Sequence, residues 1–539
     1  MYVDLHVHTN VSDGAYDIDK TLKMAQQSGI THIAITNHDT VDQLVEAVAI
    51  GVKLGIEVIP GIEISAKDPE TGKSVHILGY NFSLGATHIK RLCYPTLRKQ
   101  QEKSLWQIDT LINNGYKIDK MAINIKRKGR TIYKQHIMEE LILEGYTDKI
   151  YSELYEKLFK GHGICVGHGD IDYPEADKVV KAIHADGGIA VLAHPGAQDS
   201  LHSIKRLVEA GLNGIELVHS KNSDEVKEKI IELAQQYNLL VTGGSDFHGK
   251  YDMVQEFGSY LCPQGAFSDF QKSSPNYFYF IQDLAFRAGV RLKEYNTLHK
   301  DIICKNGDVT NLVTSFDIKI EKFLADEIRY RFPTHGFITE EKVINNIGNE
   351  DYTWIIDPID GTTNFIKFGT DFAISIALYK ESKPVMGVVY DVMSKKMYMG
   401  VNGGGAWLNG KRIKGVLGAK RLQDAVIDCS LRSMVYLSCE KNINFWSLDG
   451  KIRAHRSSGC ASLAICKIAQ GLLDVYLSAY LFIWDYAAAI IILEEMNGVM
   501  VVDGDNCLDM LVTRSVCASA FCNNDIAQAF LQFSANGNG

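Results

Sequence analysis

The sequence predicts an α/β protein of two unlike domains. The first is built on a mostly parallel sheet, open or closed into a barrel. The second alternates helices with longer β runs. Three observations lead there. The length, 539 residues, exceeds what one hydrophobic core usually organises. The first half alternates short apolar runs with amphipathic helical stretches, the pattern of strand-helix-strand units. The second half opens helically, then carries β-type runs at 372–378 and 385–390, with no internal repeat linking it to the first.

Taken in order, strands are expected at 31–36, 188–193, 214–218 and 239–242, and helices at 18–27, 176–185 and 223–237. Residues 98–161 break this rhythm and read as a helical insertion, clearest at 102–113 and 135–144. Gly, Ser and Pro punctuation over 263–275 marks a linker. The expected division is therefore a domain over 1–262, a linker over 263–275 and a domain over 276–539.

Hydrophobic residues at 46% and charged residues at 22% are those of a soluble globular protein. No apolar run reaches the roughly 20 residues of a membrane span, and the N-terminus lacks a signal-peptide layout. The 11 cysteines are scattered without a CxxC pair, as expected for buried thiols in a reducing cytoplasm. A net charge of −9 argues against a surface that coats nucleic acid, though not against a small nucleotide held by metals.

Chemistry enters at residue 4. In Asp4-Leu5-His6-Val7-His8 a strand would turn His6 and His8 to one side, toward the same ion. Asp13 follows in Ser12-Asp13-Gly14. His38, Glu63, His76, His194, Asp246 and His248 all fall on segments bordering expected strands, where parallel α/β folds place their chemistry. A lone histidine there is usually a hydrogen-bonded loop residue, but so many together point to metal binding. Imidazole mixed with carboxylate suits Mn²⁺, Zn²⁺ or Fe²⁺ better than Mg²⁺ alone.

These motifs, with His38-Asp39-Thr40, Gly61-Ile62-Glu63, Val75-His76-Ile77-Leu78-Gly79-Tyr80, Ala193-His194-Pro195-Gly196 and Gly244-Ser245-Asp246-Phe247-His248-Gly249, resemble the polymerase and histidinol phosphatase (PHP) family over about 1–262. The resemblance implies a distorted βα barrel holding up to three metals. One would take His6, His8, Glu63 and Asp246; Glu63 would bridge to a second with His76 and His194; Asp13, His38 and His248 would hold the third. His194 or His248 would assist the leaving group. The helical insertion is similar to that of nucleoside 3′,5′-bisphosphate phosphatases and related 5′-to-3′ RNA exonucleases, which makes short RNA 5′ ends a further candidate substrate. One departure is Asn37, where that subgroup usually has aspartate.

Within the insertion, Lys126-Arg127-Lys128-Gly129-Arg130 is basic. Arg130 has the planar fork suited to a second phosphate, and Arg130 with His136 falls where the subgroup has an Arg-x-His type helix start.

The second cluster lies in Trp354-Ile355-Ile356-Asp357-Pro358-Ile359-Asp360-Gly361-Thr362-Thr363-Asn364-Phe365. An apolar strand delivers Asp357, and Asp360 follows a proline turn, so both carboxylates can face a pair of hard cations. Gly361-Thr362-Thr363 then offers amides to a phosphate. Glu340-Glu341 upstream and Asp485 downstream add further acid, and an all-carboxylate set favours Mg²⁺. The string resembles the inositol monophosphatase family, over about 276–520. It implies a layered αβαβα fold, Mg²⁺-dependent chemistry and a homodimer through this domain. Glu340, Asp357 and the Ile359 carbonyl would hold one metal, and Asp357, Asp360 and Asp485 another. Thr362 paired with Asp317 would orient the attacking water. Gly361 and Thr363 would bind phosphate, and Gly459-Cys460-Ala461 would line the substrate side. Two departures are Ser478, where inositol-reading members carry glutamate, and Ala488, where the family has glycine.

The expected protein is a bifunctional phosphoesterase. Its first half would remove the 3′-phosphate of a nucleoside 3′,5′-bisphosphate, and its second would hydrolyse an inositol phosphate, a sugar phosphate or a nucleotide. The alternatives are histidinol phosphate hydrolysis, or one half serving as a degenerate binding module.

Overall fold

In the computed structural model the N-terminal strand β1 (Val3–Val7) is buried on both faces, Val3, Leu5 and Val7 on one and Asp4 and His6 on the other. The structure describes all residues except 168, 170, 252–255, 299–301, 305–311, 344–350, 415–417, 442, 504–513 and 537–539. It divides into the units Met1–Tyr279 and Phe280–Gly539.

In the first unit β1 is followed by α1 (Ile18–Gln27), β2 (His32–Ile35), α2 (Leu44–Leu54), β3 (Glu57–Lys67) and β4 (Ser74–Tyr80). The insertion contributes α3 (Thr87–Asn113), α4 (Lys120–Arg127), α5 (Lys134–Leu143) and α6 (Glu153–Phe159). Then come α7 (Ala176–Ala185), β5 (Ile189–Leu192), α8 (Pro195–Gln198), α9 (Ile204–Glu209), β6 (Gly214–Val218), α10 (Asp224–Tyr237), β7 (Leu240–Gly243) and α11 (Gln264–Ser273). The seven strands lie in chain order, and a parallel bridge from Val7 to Phe247, just beyond β7, nearly closes the barrel. β1 to β3 run parallel, as do β5 to β7. β4 runs antiparallel to both its neighbours. The short turn between β3 and β4 sets the first of these pairings, since a parallel return needs a crossover of a dozen residues or more. The carboxyl ends of β1, β2, β5 and β7 therefore share one rim.

Two expectations are corrected here. Residues 263–275 are not a linker: α11 occupies 264–273, and its Phe267 and Phe270 are buried in the barrel core with Val3, Leu5 and Tyr80. The insertion's first helix also starts earlier than residue 102 and runs through Pro95. The insertion has its own core, including Ile108, Leu111, Ile137 and Leu141.

α12 (Tyr277–Asn296) crosses the boundary between the units. The second unit continues with β8 (Ile302–Cys304), β9 (Leu312–Thr314), α13 (Ser315–Arg331), β10 (Gly336–Thr339), β11 (Tyr352–Asp360) and α14 (Thr362–Lys367). β12 (Ala373–Lys380), β13 (Lys383–Asp391), β14 (Lys396–Val401), β15 (Gly405–Leu408) and β16 (Lys411–Arg412) complete a seven-stranded sheet that starts at β10. After β17 (Val426–Cys429), α15 (Leu431–Lys441), β18 (Ala454–Arg456), α16 (Ala461–Ala469), β19 (Val475–Leu481), α17 (Ile483–Glu494), β20 (Val499–Val502), β21 (Val516–Phe521) and α18 (Asn524–Asn536), the second sheet has the order β18-β17-β19-β21-β20. The apolar helices α16 and α17 touch both sheets, α13 packs on the first, and α15 and α18 pack on the second. That is an αβαβα layering.

Candidate metal centres

Alternation along β1 buries His6 and His8 on the same side. Glu63, in β3, is the hub between them and the rest. Its Oε2 lies 3.1 Å from His6 Nε2, 3.0 Å from His8 Nε2 and 3.4 Å from His38 Nε2. Its Oε1 lies 2.7 Å from His76 Nδ1 and 2.7 Å from His194 Nε2. Asp246 Oδ1 lies 3.4 Å from His6 Nε2 and 3.2 Å from His8 Nε2. Asp13 faces His8 at 3.5 Å, His248 at 3.3 Å and His38 at 3.9 Å.

These side chains form abutting groups of potential ligand atoms: His6, His8, Glu63 and Asp246; His38, Glu63 and His76; and His8, Asp13, His38 and His248. His8 thus stands between two groups, where the sequence had assigned it to one. The set suits cations. His8 Nδ1 and Nε2, His38 Nδ1 and Asp246 Oδ1 are buried without a hydrogen-bond partner, a costly arrangement unless a bound group satisfies them. Burial alone would raise Glu63, but the His38, His6, His76 and His194 imidazoles outweigh it and hold its carboxyl well below the usual range.

Asn37 Oδ1 accepts from Thr9 N, Thr9 Oγ1 and Ser12 Oγ. An amide oxygen therefore holds the loop that carries Asp13 as an aspartate would.

The basic run divides by role. Arg127 is almost fully buried, and its guanidinium donates to the carbonyls of Asn10, Val11 and Thr131 and contacts His136 Nε2. It staples the insertion to the Asp13 loop. Lys126 pairs with Glu140. Arg130 Nη1 donates to Asn10 Oδ1 and Gln43 Oε1, and Arg130 lines a cavity of about 630 Å³ with Lys126, Lys128, Asp42 and Glu46. His136 accepts the Tyr133 amide on Nδ1, and burial with the Arg127 charge pushes its pKa down to about 3. It is a neutral prop in the structure, not a cation.

In the second unit β11 delivers buried Asp357 and Asp360. Burial, then Glu340, Asp360 and Asp485, push the Asp357 carboxyl well above the usual range. Crowded acids of this kind fit a divalent cation, which would relieve their repulsion. The Ile359 amide donates to Asp357 Oδ1, and the Ile359 carbonyl accepts from Thr362 Oγ1 at 3.2 Å. Thr362 Oγ1 also lies 3.4 Å from Asp317 Oδ1. Asp317 caps α13 through Thr314, and its pKa is pushed up to about 6 by burial, against the Thr314 hydrogen bonds. Gly361 holds φ +87°, and a Cβ there would sit 3.1 Å from Cys460 Cβ and 3.2 Å from the Asp371 carbonyl, so the turn before α14 requires glycine. Thr363 follows in the first turn of α14. The Ala461 and Ser462 amides, the Ser462 hydroxyl and the Cys460 thiol all donate to Asp360. Ala461, expected on the substrate side, thus also supports a carboxylate. Gly459 lies against the Asn364 side chain. Ala488 is buried against Gly387, where a Cβ would stand 2.6 Å from the Ala488 carbonyl, so the strand supplies the small residue at this crossing. Asp485 Oδ2 accepts the Phe482 amide at the start of α17.

Several supporting residues were missed. Buried Glu321 accepts from Thr339 Oγ1, Glu341 N and Val343 N, holding the turn that presents Glu340. Its position four residues after Asp317, one helical turn on, was the available signal. Glu216 and His219 sit behind the first cluster, at the end of β6.

Comparison with known proteins separates the two units. A model of the PHP domain matches residues 4–217, and a model of the inositol monophosphatase family matches 276–534. A phosphoribosyl 1,2-cyclic phosphate 1,2-diphosphodiesterase of Eggerthella lenta is 44% identical over 48% of the chain and 98% of its own length. Human inositol monophosphatase 2 is 33% identical over 44% of the chain and 83% of its own length. The chain belongs to both families. It is a hydrolase of phosphate esters with a PHP unit followed by an inositol monophosphatase unit, and both families are metal-dependent. Among solved structures, inositol monophosphatase II of Staphylococcus aureus shares 30% identity over 48% of this chain and 93% of that one, with a TM-score of 0.40. No described helix is long and apolar enough to cross a membrane.

Proposed function

We propose that the PHP unit hydrolyses a phosphate ester on a ribose that carries a second phosphate, and that the inositol monophosphatase unit hydrolyses a small phosphate monoester. The observation that carries the first half is the similarity to the cyclic phosphate diesterase along nearly that protein's whole length. A 5-phosphoribosyl 1,2-cyclic phosphate is the first substrate to test. A nucleoside 3′,5′-bisphosphate is the second, with Arg130 as the group that would meet the phosphate not being cleaved, although its cavity is also lined by Asp17, Asp19, Asp42 and Glu46. In the other unit Ser478 Oγ accepts the Tyr480 amide at 3.4 Å, and Arg432 stacks on the Tyr480 ring at 4.2 Å. A carboxylate offers two charged oxygens to a pair of sugar hydroxyls, whereas Ser478 offers one neutral oxygen, which favours a monoester other than inositol phosphate.

The histidine-rich donors suit Mn²⁺, Zn²⁺ or Fe²⁺, and the oxygen-only donors suit Mg²⁺. Bound, such ions would lower the pKa of a water and neutralise charge on the phosphoryl group. The protein's own residues do the rest. Glu63 holds His6, His8, His76 and His194 in fixed relation. His194 or His248 would pass a proton to the leaving oxygen. Asp317 accepts from Thr362, which orients the attacking water beside Glu340, while the amides of Gly361 and Thr363 receive the phosphate.

The test is substrate consumption with Mn²⁺ by the Asp360→Asn variant, which silences the second unit, with the products identified, since opening the cyclic diester gives a monoester before any free phosphate. Turnover of the cyclic phosphate or of adenosine 3′,5′-bisphosphate supports the assignment. Turnover of histidinol phosphate alone would overturn it.

A further inference from the structure

Two candidate ligands of the PHP unit stand on backbone that side chains rarely adopt. Asp246 has φ +53° and His194 has φ +20°. Such conformations persist only where neighbours over-determine them, and both residues are held from the end of β6.

Glu216 is fully buried. Its Oε1 lies 3.0 Å from His6 Nδ1, and its Oε2 accepts the His194 amide at 2.8 Å. A carboxylate only accepts, so His6 carries its proton on Nδ1 and leaves the Nε2 lone pair for the cluster. His219, also buried, accepts the Lys221 amide on Nδ1 at 3.0 Å. Its proton therefore sits on Nε2, which faces Asp246 Oδ2 at 3.4 Å. That contact turns the other oxygen, Oδ1, toward His6 and His8. Asn222 ties the same loop down, donating to the Glu216 and Leu217 carbonyls and accepting the Gly196 amide just beyond His194.

His6, Glu216 and His219 themselves offer potential ligand atoms within 4.8 Å of one another. Hydrogen bonding decides against an ion there, because neither His6 Nδ1 nor His219 Nε2 has a free lone pair. We infer that Glu216 and His219 are positioning residues: Glu216 fixes the tautomer of His6 and the strained backbone of His194, and His219 fixes the carboxylate of strained Asp246. The inference rests on the metal-dependent reading of this unit but concerns residues that touch no substrate.

Glu216→Gln is nearly isosteric and leaves one acceptor for two donors. His219→Leu removes the donor to Asp246, whereas His219→Gln keeps one. Mn²⁺ titration of the full-length protein, followed by the electron paramagnetic resonance of free Mn²⁺, reads the effect without any turnover. Circular dichroism of the chelated proteins checks their folding. Glu216→Gln and His219→Leu should bind Mn²⁺ about 10- to 100-fold more weakly in the PHP unit, the usual cost of losing an outer partner of a metal ligand. His219→Gln should stay close to wild type. Unchanged Mn²⁺ affinity in Glu216→Gln and His219→Leu would overturn the inference, as would a His219→Gln variant as weak as His219→Leu. A wild-type protein that binds no Mn²⁺ would instead remove the metal reading itself.

Discussion

Arg127 offers the sharpest test of how the insertion serves the PHP unit. Its guanidinium is buried and donates to the carbonyls of Asn10, Val11 and Thr131. Two of those carbonyls belong to the loop that presents Asp13. Arg127→Met keeps most of the side chain's length and apolar stem but leaves all three carbonyls without that donor. A buried polar group stripped of its partner costs about 1–3 kcal/mol. Three of them, partly relieved by water entering, put the loss at roughly 3–6 kcal/mol, confined to the contact between insertion and loop. The assay is limited proteolysis at a temperature where the wild type resists, with mass analysis of the cuts. Cleavage within residues 98–161 should accelerate by at least about 100-fold, since each 1.4 kcal/mol is tenfold in the open population. Mn²⁺ binding at the group containing Asp13 should weaken in parallel. An Arg127→Met protein with the wild-type cleavage pattern and rate would refute the staple.

Other consequences can be checked more simply. Gly361→Ala places a Cβ in the left-handed region against Cys460 and the Asp371 carbonyl. It should cost roughly 1–3 kcal/mol of local strain and abolish monoester hydrolysis while PHP-unit turnover persists, as single-substrate rate assays would show. In the metal-free protein, Asp317 is raised to about 6, and Asp357 and Asp360 are also raised. These carboxyls keep their protons longer folded than unfolded, so stability present below pH ~4 is lost as pH climbs through about 6. Mg²⁺ should therefore raise the melting temperature of the second unit more at pH 7 than at pH 5, and an equal rise at both would contradict this electrostatic picture. Glu321→Gln should lower Mg²⁺ affinity by about tenfold, measured as the Mg²⁺ dependence of monoester turnover, because the turn carrying Glu340 loses one of its anchors.

Much of the fold was legible because the buried faces have clean periods. The helix over Ile18–Gln27 and the strand Gly214–Val218 fall where spacing placed them. The linker expectation failed because Gly, Ser and Pro between 263 and 275 outweighed two phenylalanines three residues apart, which tertiary packing buries. α3 begins well before the expected residue 102 and runs through Pro95, because Ile89, Cys93, Thr96, Ser104, Ile108 and Leu111 keep buried positions along its whole length. Direct metal-binding candidates were readable because histidines and acids at strand ends are conspicuous. Their supports were not: Glu216, His219 and Glu321 resemble ordinary polar residues until the fold brings a tautomer, a strained backbone or a turn against them. Arg127 hid for the opposite reason, inside a basic run whose phosphate-binding expectation went to Arg130.

The central claim is that one chain carries two independent phosphoesterase sites. Glu63→Gln removes the hub of the first site, and Asp360→Asn removes a buried carboxylate of the second. The decisive measurement is the pair of rates for each variant: Mn²⁺-dependent release from the phosphorylated ribose, and Mg²⁺-dependent release from a small monoester panel. Independence predicts a crossed result, Glu63→Gln losing the first rate and keeping the second, and Asp360→Asn the reverse. Both rates vanishing together in either variant would contradict it.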